Sequence, residues 1–384
     1  MSTYLPEDVV EKILSCLPSK SLIRFRCISK ACLALIGNPD LLSKKLLNNS
    51  ILTTKSEDPS PSLLVAEVAD KSNPTKQIYS FLSYDTLDCE SRTHHDHDLD
   101  IVASCHGLVC FYEYYGENDL YLWNPAMSSS GLKALPPLPR PYSTRHVDSF
   151  AVGFGFDPRS NDFKVVRVFN ESYSQYVVLY SLNSGSWREI KADVNMLRRF
   201  HPTSRTTTYV NEMFFWWMSE KNDNRIVGFD FSDEVFSTTP LPDANVVGNY
   251  DLWWSALNVL NGSIAMTLFH CTKEKKMYYD IWVLLELGVK ESWTKLFTIK
   301  PSSHLGRPLG FWKNGELFMV NIERQLVLYD PFTHTTKNLQ LDGTTETRQV
   351  VLYTQSSVTN KRKILGYERK SFLEVWFNVP FLFI

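Results

Sequence analysis

The 384-residue sequence predicts a mainly β fold preceded by a small N-terminal α-helical domain. Aromatic residues make up 13% of the chain, and from residue 63 onwards they occur with β-branched residues in short runs that Gly, Asn, Asp and Pro interrupt. Residues 1–48 differ, because their apolar side chains recur at the three- and four-residue spacing of amphipathic helices. The chain therefore divides into two unequal parts with different secondary structure.

Charge and cysteine content indicate which partners and which cellular location to expect. Lys and Arg total 40 against 42 Asp and Glu, so the formal charge of −2 argues against nucleic acid or a membrane surface as the main partner. Apolar runs stay far below the roughly 20 residues of a membrane-spanning helix. The seven Cys are an odd number without a CxxC pair. We therefore expect reduced thiols and a cytoplasmic or nuclear location.

The N-terminal part predicts three or four short helices. Glu7 and Asp8 lie in the first turn of the first helix, and Pro18 ends it. So short a domain cannot bury all of its Leu, Ile and Phe internally, which leaves an apolar face for a partner or for the rest of the chain. Residues 49–62 are rich in Ser, Pro and charge, and are predicted to be a linker.

The helical part resembles the F-box of plant F-box proteins, through a pattern that begins at Leu5-Pro6 and extends to Ser29-Lys30. The family pattern usually continues with a Trp where this sequence has Ala31 and Cys32. The resemblance implies that this domain binds a Skp-type adaptor and, through it, a cullin scaffold. The residues that it assigns to adaptor binding are Leu5, Pro6, Ile13, Leu14, Leu17, Pro18, Leu22 and Phe25.

A degenerate repeat runs through residues 63–384. Segments with an aromatic anchor and strand-like flanks recur at intervals of about 50 residues, a period typical of propeller blades. The anchors are Trp123, Tyr180, Phe229, Trp282 and Tyr329. This length has room for about six blades, and residues 62–84 are predicted to supply the strand that closes the ring.

The larger part resembles the F-box-associated domain of plant F-box proteins, which is a kelch-like substrate-recognition domain. The resemblance rests on segments such as HGLVCFY, GFGFDPRSNDFKVVRV and PLGFWKNGELFMV, while the lack of a Gly-Gly doublet argues against an authentic kelch repeat. The run IWVLLELGVKESWTKLFTIKP is similar to pollen S-locus F-box proteins, which recognise style ribonucleases in self-incompatibility. The resemblance implies that this domain captures a protein substrate.

Two clusters of potentially reactive side chains are predicted to have structural rather than metal-binding or catalytic roles. The run from His94 to Asp98 is predicted to be a solvated loop rather than a zinc site, because adjacent residues rarely converge on one tetrahedral point. If Cys105 and His106 are neighbours on a strand, they point to opposite faces and cannot form a catalytic pair. The sequence also lacks GxSxG, HExxH and phosphate-loop motifs. We expect no catalytic residues, metal or cofactor.

A candidate substrate patch combines a basic loop with a Trp doublet. One ring of such a doublet faces a core if the segment is extended, and the other is available to anchor an interface. The patch consists of Arg198, Arg199, His201, Trp253 and Trp254.

The sequence therefore predicts a non-catalytic substrate-recognition subunit of a Skp–cullin–F-box ubiquitin ligase. One alternative is a pollen S-locus F-box protein that recognises style S-ribonucleases. Another is a propeller scaffold or enzyme that works without the F-box and has a site in the central channel. Ala31 and Cys32, which stand in place of the usual Trp, keep this alternative open.

Overall fold

The protein is a six-bladed β-propeller, in which six four-stranded antiparallel sheets follow one another along the chain. This computed structural model describes residues 9–10, 61–70, 73–113, 120–126, 131–138, 149–171, 174–192, 207–220, 223–242, 251–271, 277–300, 304–339, 341 and 346–355. The prediction of a mainly β chain with about six blades is confirmed.

The first three blades have the following strands. The first blade contains β1 (Ser62–Asp70), β2 (Asn73–Ser83), β3 (Cys89–His95) and the C-terminal β24 (Glu346–Tyr353). The second contains β4 (Leu99–Cys105), β5 (Leu108–Glu113), β6 (Leu120–Trp123) and β7 (Lys133–Ala134). The third contains β8 (Ser149–Asp157), β9 (Asp162–Glu171), β10 (Ser174–Ser181) and β11 (Ser186–Ile190).

The last three blades are built in the same way. The fourth contains β12 (Thr207–Val210), β13 (Met213–Glu220), β14 (Asp223–Asp230) and β15 (Val235–Pro240). The fifth contains β16 (Asp251–Leu260), β17 (Ser263–Cys271), β18 (Met277–Leu284) and β19 (Trp293–Ile299). The sixth contains β20 (Leu305–Phe311), β21 (Leu317–Asn321), β22 (Leu326–Tyr329) and β23 (Thr336–Asn338). Short 3-10 helices occupy Lys290–Ser292 and Lys313–Gly315.

The two ends of the propeller meet in the first blade. β1 pairs with β2 on one edge and with β24 on the other, so that Ser62 lies opposite Tyr353. The prediction that residues 62–84 supply the strand that closes the ring therefore needs one correction. Those residues provide two strands of the closing blade, but its innermost strand comes from residues 346–353. The pairing leaves neither edge of β1 open.

Aromatic side chains fill the spaces between blades. All five repeat anchors lie in third strands, namely Trp123 in β6, Tyr180 in β10, Phe229 in β14, Trp282 in β18 and Tyr329 in β22. The corresponding strand of the first blade is β2, whose Tyr79 is fully buried. Ring packing also explains the GxG pattern of β8. A Cβ atom on Gly153 would meet the ring of Trp216, and one on Gly155 would meet the ring of Phe231.

Little of the predicted helical domain belongs to the described residues. Val9 and Val10 are helical, and half-buried Val10 packs against the apolar cluster between the fifth and sixth blades. None of the helices in the described ranges is both long enough and apolar enough to cross a membrane.

Candidate functional site

Strand direction gives the propeller two faces that carry different kinds of connection. Because the strands of a blade alternate in direction, its first strand begins at the face where its fourth strand ends. Connections between successive blades therefore lie at one face, which we call the loop face. The hairpins that join first to second and third to fourth strands lie at the opposite face, which we call the turn face.

The turn face is built from short hairpins. His106 and Gly107 join β4 to β5, and Asn211 and Glu212 join β12 to β13; all four have positive φ angles, of 45°, 81°, 52° and 63°. The Asn211 side chain donates a hydrogen bond to the Gly262 carbonyl in the hairpin of the next blade, at 3.0 Å. Contacts of this kind fix neighbouring hairpins to one another.

The chain reaches the propeller at the turn face. Pro61 precedes β1, and its carbonyl accepts a hydrogen bond from the Tyr84 amide at 3.2 Å. The Tyr84 carbonyl in turn accepts a bond from the Trp312 indole at 2.9 Å. Tyr84 and Trp312 both lie in hairpins of the turn face. The predicted linker and F-box therefore connect to this side of the ring.

The loop face carries the longest connections in the propeller. These join the second blade to the third, the third to the fourth, and the fourth to the fifth, over residues 135–148, 191–206 and 241–250. Long connections on a rigid frame are where proteins usually place recognition residues. The geometry favours this face for contact with a large partner.

The predicted substrate patch maps to two of these segments. Arg198, Arg199 and His201 belong to the connection between β11 and β12 and lie outside the described residues. Trp253 and Trp254 lie near the start of β16, close to the loop face, where the register with β17 shifts between Asp251 and Ala256. Their side chains are outside the described part of the structure, so the patch stays a prediction.

The predicted adaptor-binding residues also lie outside the described residues. This applies to Leu5, Pro6, Ile13, Leu14, Leu17, Pro18, Leu22 and Phe25.

A buried charge network links the third and fourth blades. The Lys164 ammonium donates to the Asp157 carboxylate at 2.7 Å, to the Glu234 carboxylate at 2.8 Å and to the Phe231 carbonyl at 2.9 Å. Lys164 is 6% exposed and Asp157 is 2% exposed. Two of its three acceptors come from the fourth blade, so the network fixes the blades to each other.

Hydrogen bonding outweighs burial in this network. Burial opposes the charged form of Asp157, but hydrogen bonds from Lys164, Ser160 and Ser232 lower the pKa of the carboxyl well below its ordinary value. Burial likewise opposes the charge on Lys164, but its bonds to Asp157 and Glu234 raise the pKa of the ammonium. All three groups therefore remain charged near neutral pH. Sequence reasoning missed this network. The one feature of the sequence that could have indicated it is a single Lys, Lys164, inside the apolar run FKVV.

A cavity of about 460 Å³ lies on the axis of the ring. Its wall contains residues from the first strands of five blades: β24, β4, β12, β16 and β20. The first strand of the third blade, β8, contributes none of the described residues that line the cavity. Its neighbour β4 lies against both β8 and β12. The polar groups on the wall include Ser104, Asn258, Arg307 and Arg348, which sequence reasoning had not singled out.

The prediction of a solvated loop for the histidine-rich run is only partly correct. His94 and His95 end β3, and the His95 ring packs edge-on against Tyr79 and Trp123, with ring centroids 5.4 and 5.5 Å apart. Asp98 accepts hydrogen bonds from Gln77 and Arg348. The polar composition of this run concealed that the strand extends to His95 and that the His95 ring is packed.

Cys105 and His106 occupy different environments. Cys105 ends β4, and its complete burial raises the pKa of the thiol well above the ordinary value. A thiol that stays protonated is a poor nucleophile. His106 is in the following turn rather than on the strand, and its ring packs against Phe156 of the next blade, with centroids 4.5 Å apart.

Similarity to known proteins agrees with this architecture. A ring of four-stranded antiparallel sheets defines the class of β-propeller proteins. The F-box associated beta propeller domain matches residues 67–367, and the F-box domain matches residues 3–44. The chain therefore belongs to the F-box-associated β-propeller family, and it is a plant-type F-box protein.

Individual relatives are distant in sequence but similar in length. The F-box/kelch-repeat protein At3g23880 of Arabidopsis thaliana is 27% identical, over 85% of this chain and 87% of that protein. The F-box protein CPR1 of the same plant is 28% identical, over 85% of this chain and 82% of that protein. Among solved structures, TolB from Acinetobacter baumannii has a TM-score of 0.44 and 12% identity, over 82% of this chain and 70% of that one.

Proposed function

We propose that this protein is the substrate-recognition subunit of a Skp–cullin–F-box ubiquitin ligase. Residues 1–48 bind a Skp-type adaptor, residues 49–61 form a linker, and the propeller from Ser62 onwards captures a protein substrate. The match of the F-box domain to residues 3–44 carries the adaptor part of the proposal.

The two faces of the propeller support the substrate part. The chain from the F-box reaches the ring at the turn face, where Pro61 and Tyr84 are hydrogen bonded. The longest connections lie at the opposite face. A substrate on the loop face would lie on the side of the ring opposite to the point where the chain from the F-box enters it.

The contribution of such a subunit is proximity rather than bond chemistry. A captured substrate presents its lysines at a high effective concentration to a conjugating enzyme on the same scaffold. Buried Cys105 and Cys110 fit this role, because burial raises the pKa of both thiols and keeps them protonated.

Adaptor binding is tested by co-expression of the full chain with a Skp-type adaptor, followed by size-exclusion chromatography. We expect stoichiometric co-elution, and its loss when Leu5 and Pro6 are both replaced by Ala, because both residues match the F-box pattern. The matched control replaces Leu287 and Pro331 by Ala. These residues lie in turns of the propeller. Co-elution that survives the Leu5/Pro6 change, or that the control also removes, contradicts the assignment.

Substrate capture by the predicted patch requires a second measurement. We expect the double change Arg198→Glu and Arg199→Glu to reduce the recovery of proteins that accumulate on the wild-type complex when the proteasome is inhibited. Adaptor recovery should stay the same, because the F-box is untouched. Unchanged recovery of all captured proteins would exclude these two arginines from the interface.

A further inference from the structure

Two adjacent residues of the N-terminal helix have different surroundings. Val10 is half-buried and packs against the apolar cluster between the fifth and sixth blades, whereas Val9 is 37% exposed. Successive residues of a helix point about 100° apart, so this contrast identifies the side of the helix that faces the propeller. The helix lies on the ring through the side that carries Val10.

The sequence continues this side of the helix as an apolar stripe. Ile13, Leu14 and Leu17 follow Val10 at the spacings that share one side of a continuous helix. We call these four residues the helix stripe. The predicted helix ends before Pro18, and a helix so short is marginal in water unless another surface covers its apolar side. The packing of Val10 identifies the propeller as one such surface.

The cluster under Val10 leaves two side chains partly open at the turn face. Leu285 directly follows β18 and Phe311 ends β20, and both are half-buried. We call these two residues the docking surface. Met277 is a half-buried member of the same cluster, but it begins β18 and therefore lies at the loop face. The cluster is thus accessible from both faces of the ring.

The route of the chain favours the end at the turn face. The Pro61 carbonyl accepts a hydrogen bond from the Tyr84 amide, and the Tyr84 carbonyl accepts one from the Trp312 indole. Trp312 is the next residue after Phe311 of the docking surface. Residues 11–60 therefore connect Val10, on the cluster of the fifth and sixth blades, to a point beside the sixth blade. Both attachments belong to one sector of the ring.

Hydrogen bonds hold the docking surface in a fixed shape. The Leu285 hairpin is closed by the Ser292 hydroxyl, which accepts from the Glu286 amide at 3.1 Å. Beside Phe311, the Trp312 amide donates to the Glu316 carbonyl at 2.7 Å. Binding to a preformed surface loses little conformational freedom. The docking surface can therefore receive a helix without rearranging.

We propose that the first helix of the predicted F-box docks on the turn face of the propeller, with the helix stripe against Leu285 and Phe311. The occupant is a segment of the same chain, for which the packing of Val10 and the route through Pro61 both argue. This docking holds the F-box against the fifth and sixth blades. It needs no adaptor.

The helix stripe also connects docking to the proposed function. Ile13, Leu14 and Leu17 are among the residues proposed to bind the adaptor. The same side chains cannot be buried against the propeller and the adaptor at once, so the two surfaces compete for them. This consequence rests on the proposed function, whereas the docking itself does not.

Photo-cross-linking of the adaptor-free full chain tests the docking. A benzophenone amino acid at position 285 should form cross-links to residues 9–17, which mass spectrometry identifies. The matched control carries the same group at position 277, in the same cluster but at the loop face, and should not form them. Val10→Asp should reduce the cross-link yield from position 285 by at least about tenfold, because it would bury an unpaired charge. Val9→Asp should leave the yield unchanged, because Val9 is exposed.

Hydrogen–deuterium exchange gives a second measurement on the same protein. Leu285→Glu should speed amide exchange in residues 9–17, although it changes no residue of the F-box, whereas Met277→Glu should not. Circular dichroism confirms that each variant is folded. Cross-links that are absent from position 285, or equally abundant from position 277, overturn the docking. So does unchanged exchange of residues 9–17 in the Leu285→Glu variant.

Adaptor affinity tests the competition separately. Leu285→Glu should bind a Skp-type adaptor several-fold more tightly than the wild type, because the helix stripe is released, and Met277→Glu should match the wild type. Equal affinity of the wild type and Leu285→Glu overturns the competition. If the adaptor binds no form of the chain, the proposed function fails, while the cross-links still decide the docking.

Discussion

Replacing Lys164 by Met is expected to lower the free energy of unfolding by about 3–5 kcal/mol, because it leaves a buried carboxylate without its cation. Asp157 is 2% exposed and depends on Lys164 for one of its hydrogen bonds. Glu234 loses the same partner but keeps Arg188. Chemical denaturation of the full chain measures the effect.

Two comparisons test the cause of this loss. Adding Asp157→Asn to Lys164→Met should recover part of the stability, because the uncompensated charge is removed. Arg159→Gln breaks the exposed ion pair with Asp233 and should cost no more than about 1 kcal/mol. A Lys164 variant as stable as the Arg159 variant would show that the network does not join the two blades energetically.

The same network gives stability a defined dependence on pH. The pKa values of Asp157 and Glu234 are lowered from ordinary values of 3.8 and 4.5, so their contribution is full above those values and is lost as pH falls through the folded pKa. The pKa of Lys164 is raised from 10.5, so its contribution is full below that value and is lost as pH rises through the folded pKa. Acid denaturation should therefore begin below about pH 4. The free energy of unfolding of the Lys164→Met variant should depend less on pH in this acidic range.

Replacing Gln349 by Leu is expected to destabilise the protein by about 2–4 kcal/mol at the point where the ring closes. The Gln349 side chain donates to the Ile101 carbonyl at 3.0 Å and accepts from the Ile101 amide at 2.8 Å. Ile101 is 2% exposed, so Leu leaves two buried backbone groups of β4 unpaired. This side chain thus attaches the C-terminal strand to the second blade.

The same substitution elsewhere provides the control. Gln325→Leu removes a partly buried hydrogen bond with Asn321 in the β21–β22 turn, and it should cost about 1 kcal/mol or less. Hydrogen–deuterium exchange should show faster exchange in β24 and β1 for Gln349→Leu alone. Equal protection of these strands in both variants would contradict a role for Gln349 in closure.

Local patterns in the sequence predict the blades but not the contacts between distant segments. The aromatic anchors identify third strands correctly, because each belongs to a strand flanked by its own turns. The partnership of Lys164 with Glu234 is not predictable in this way, since the residues are 70 positions apart and belong to different blades. The pairing of β1 with β24 joins residues even further apart, such as Ser62 and Tyr353.

The candidate sites differ in how far the sequence reveals them. The proposed adaptor-binding residues, such as Leu5 and Pro6, follow from a family motif, so the sequence alone predicts them. Arg307 and Arg348, on the wall of the axial cavity, were missed because a bulge interrupts the period-two alternation from which side-chain direction is inferred. The proposed substrate residues have no transferable pattern, because recognition loops vary freely on a constant frame.

Closure by β24 also constrains how the protein is made. The ribosome reaches β24 last among the strands described here, on the order of 15–60 s after β1 at ordinary rates of synthesis. During that interval β1 lacks its inner neighbour and presents an open strand edge, which is a template for aggregation. Any premature stop or cleavage before residue 346 makes that exposure permanent. The nascent chain is therefore itself a candidate for chaperone binding until its last strand is in place.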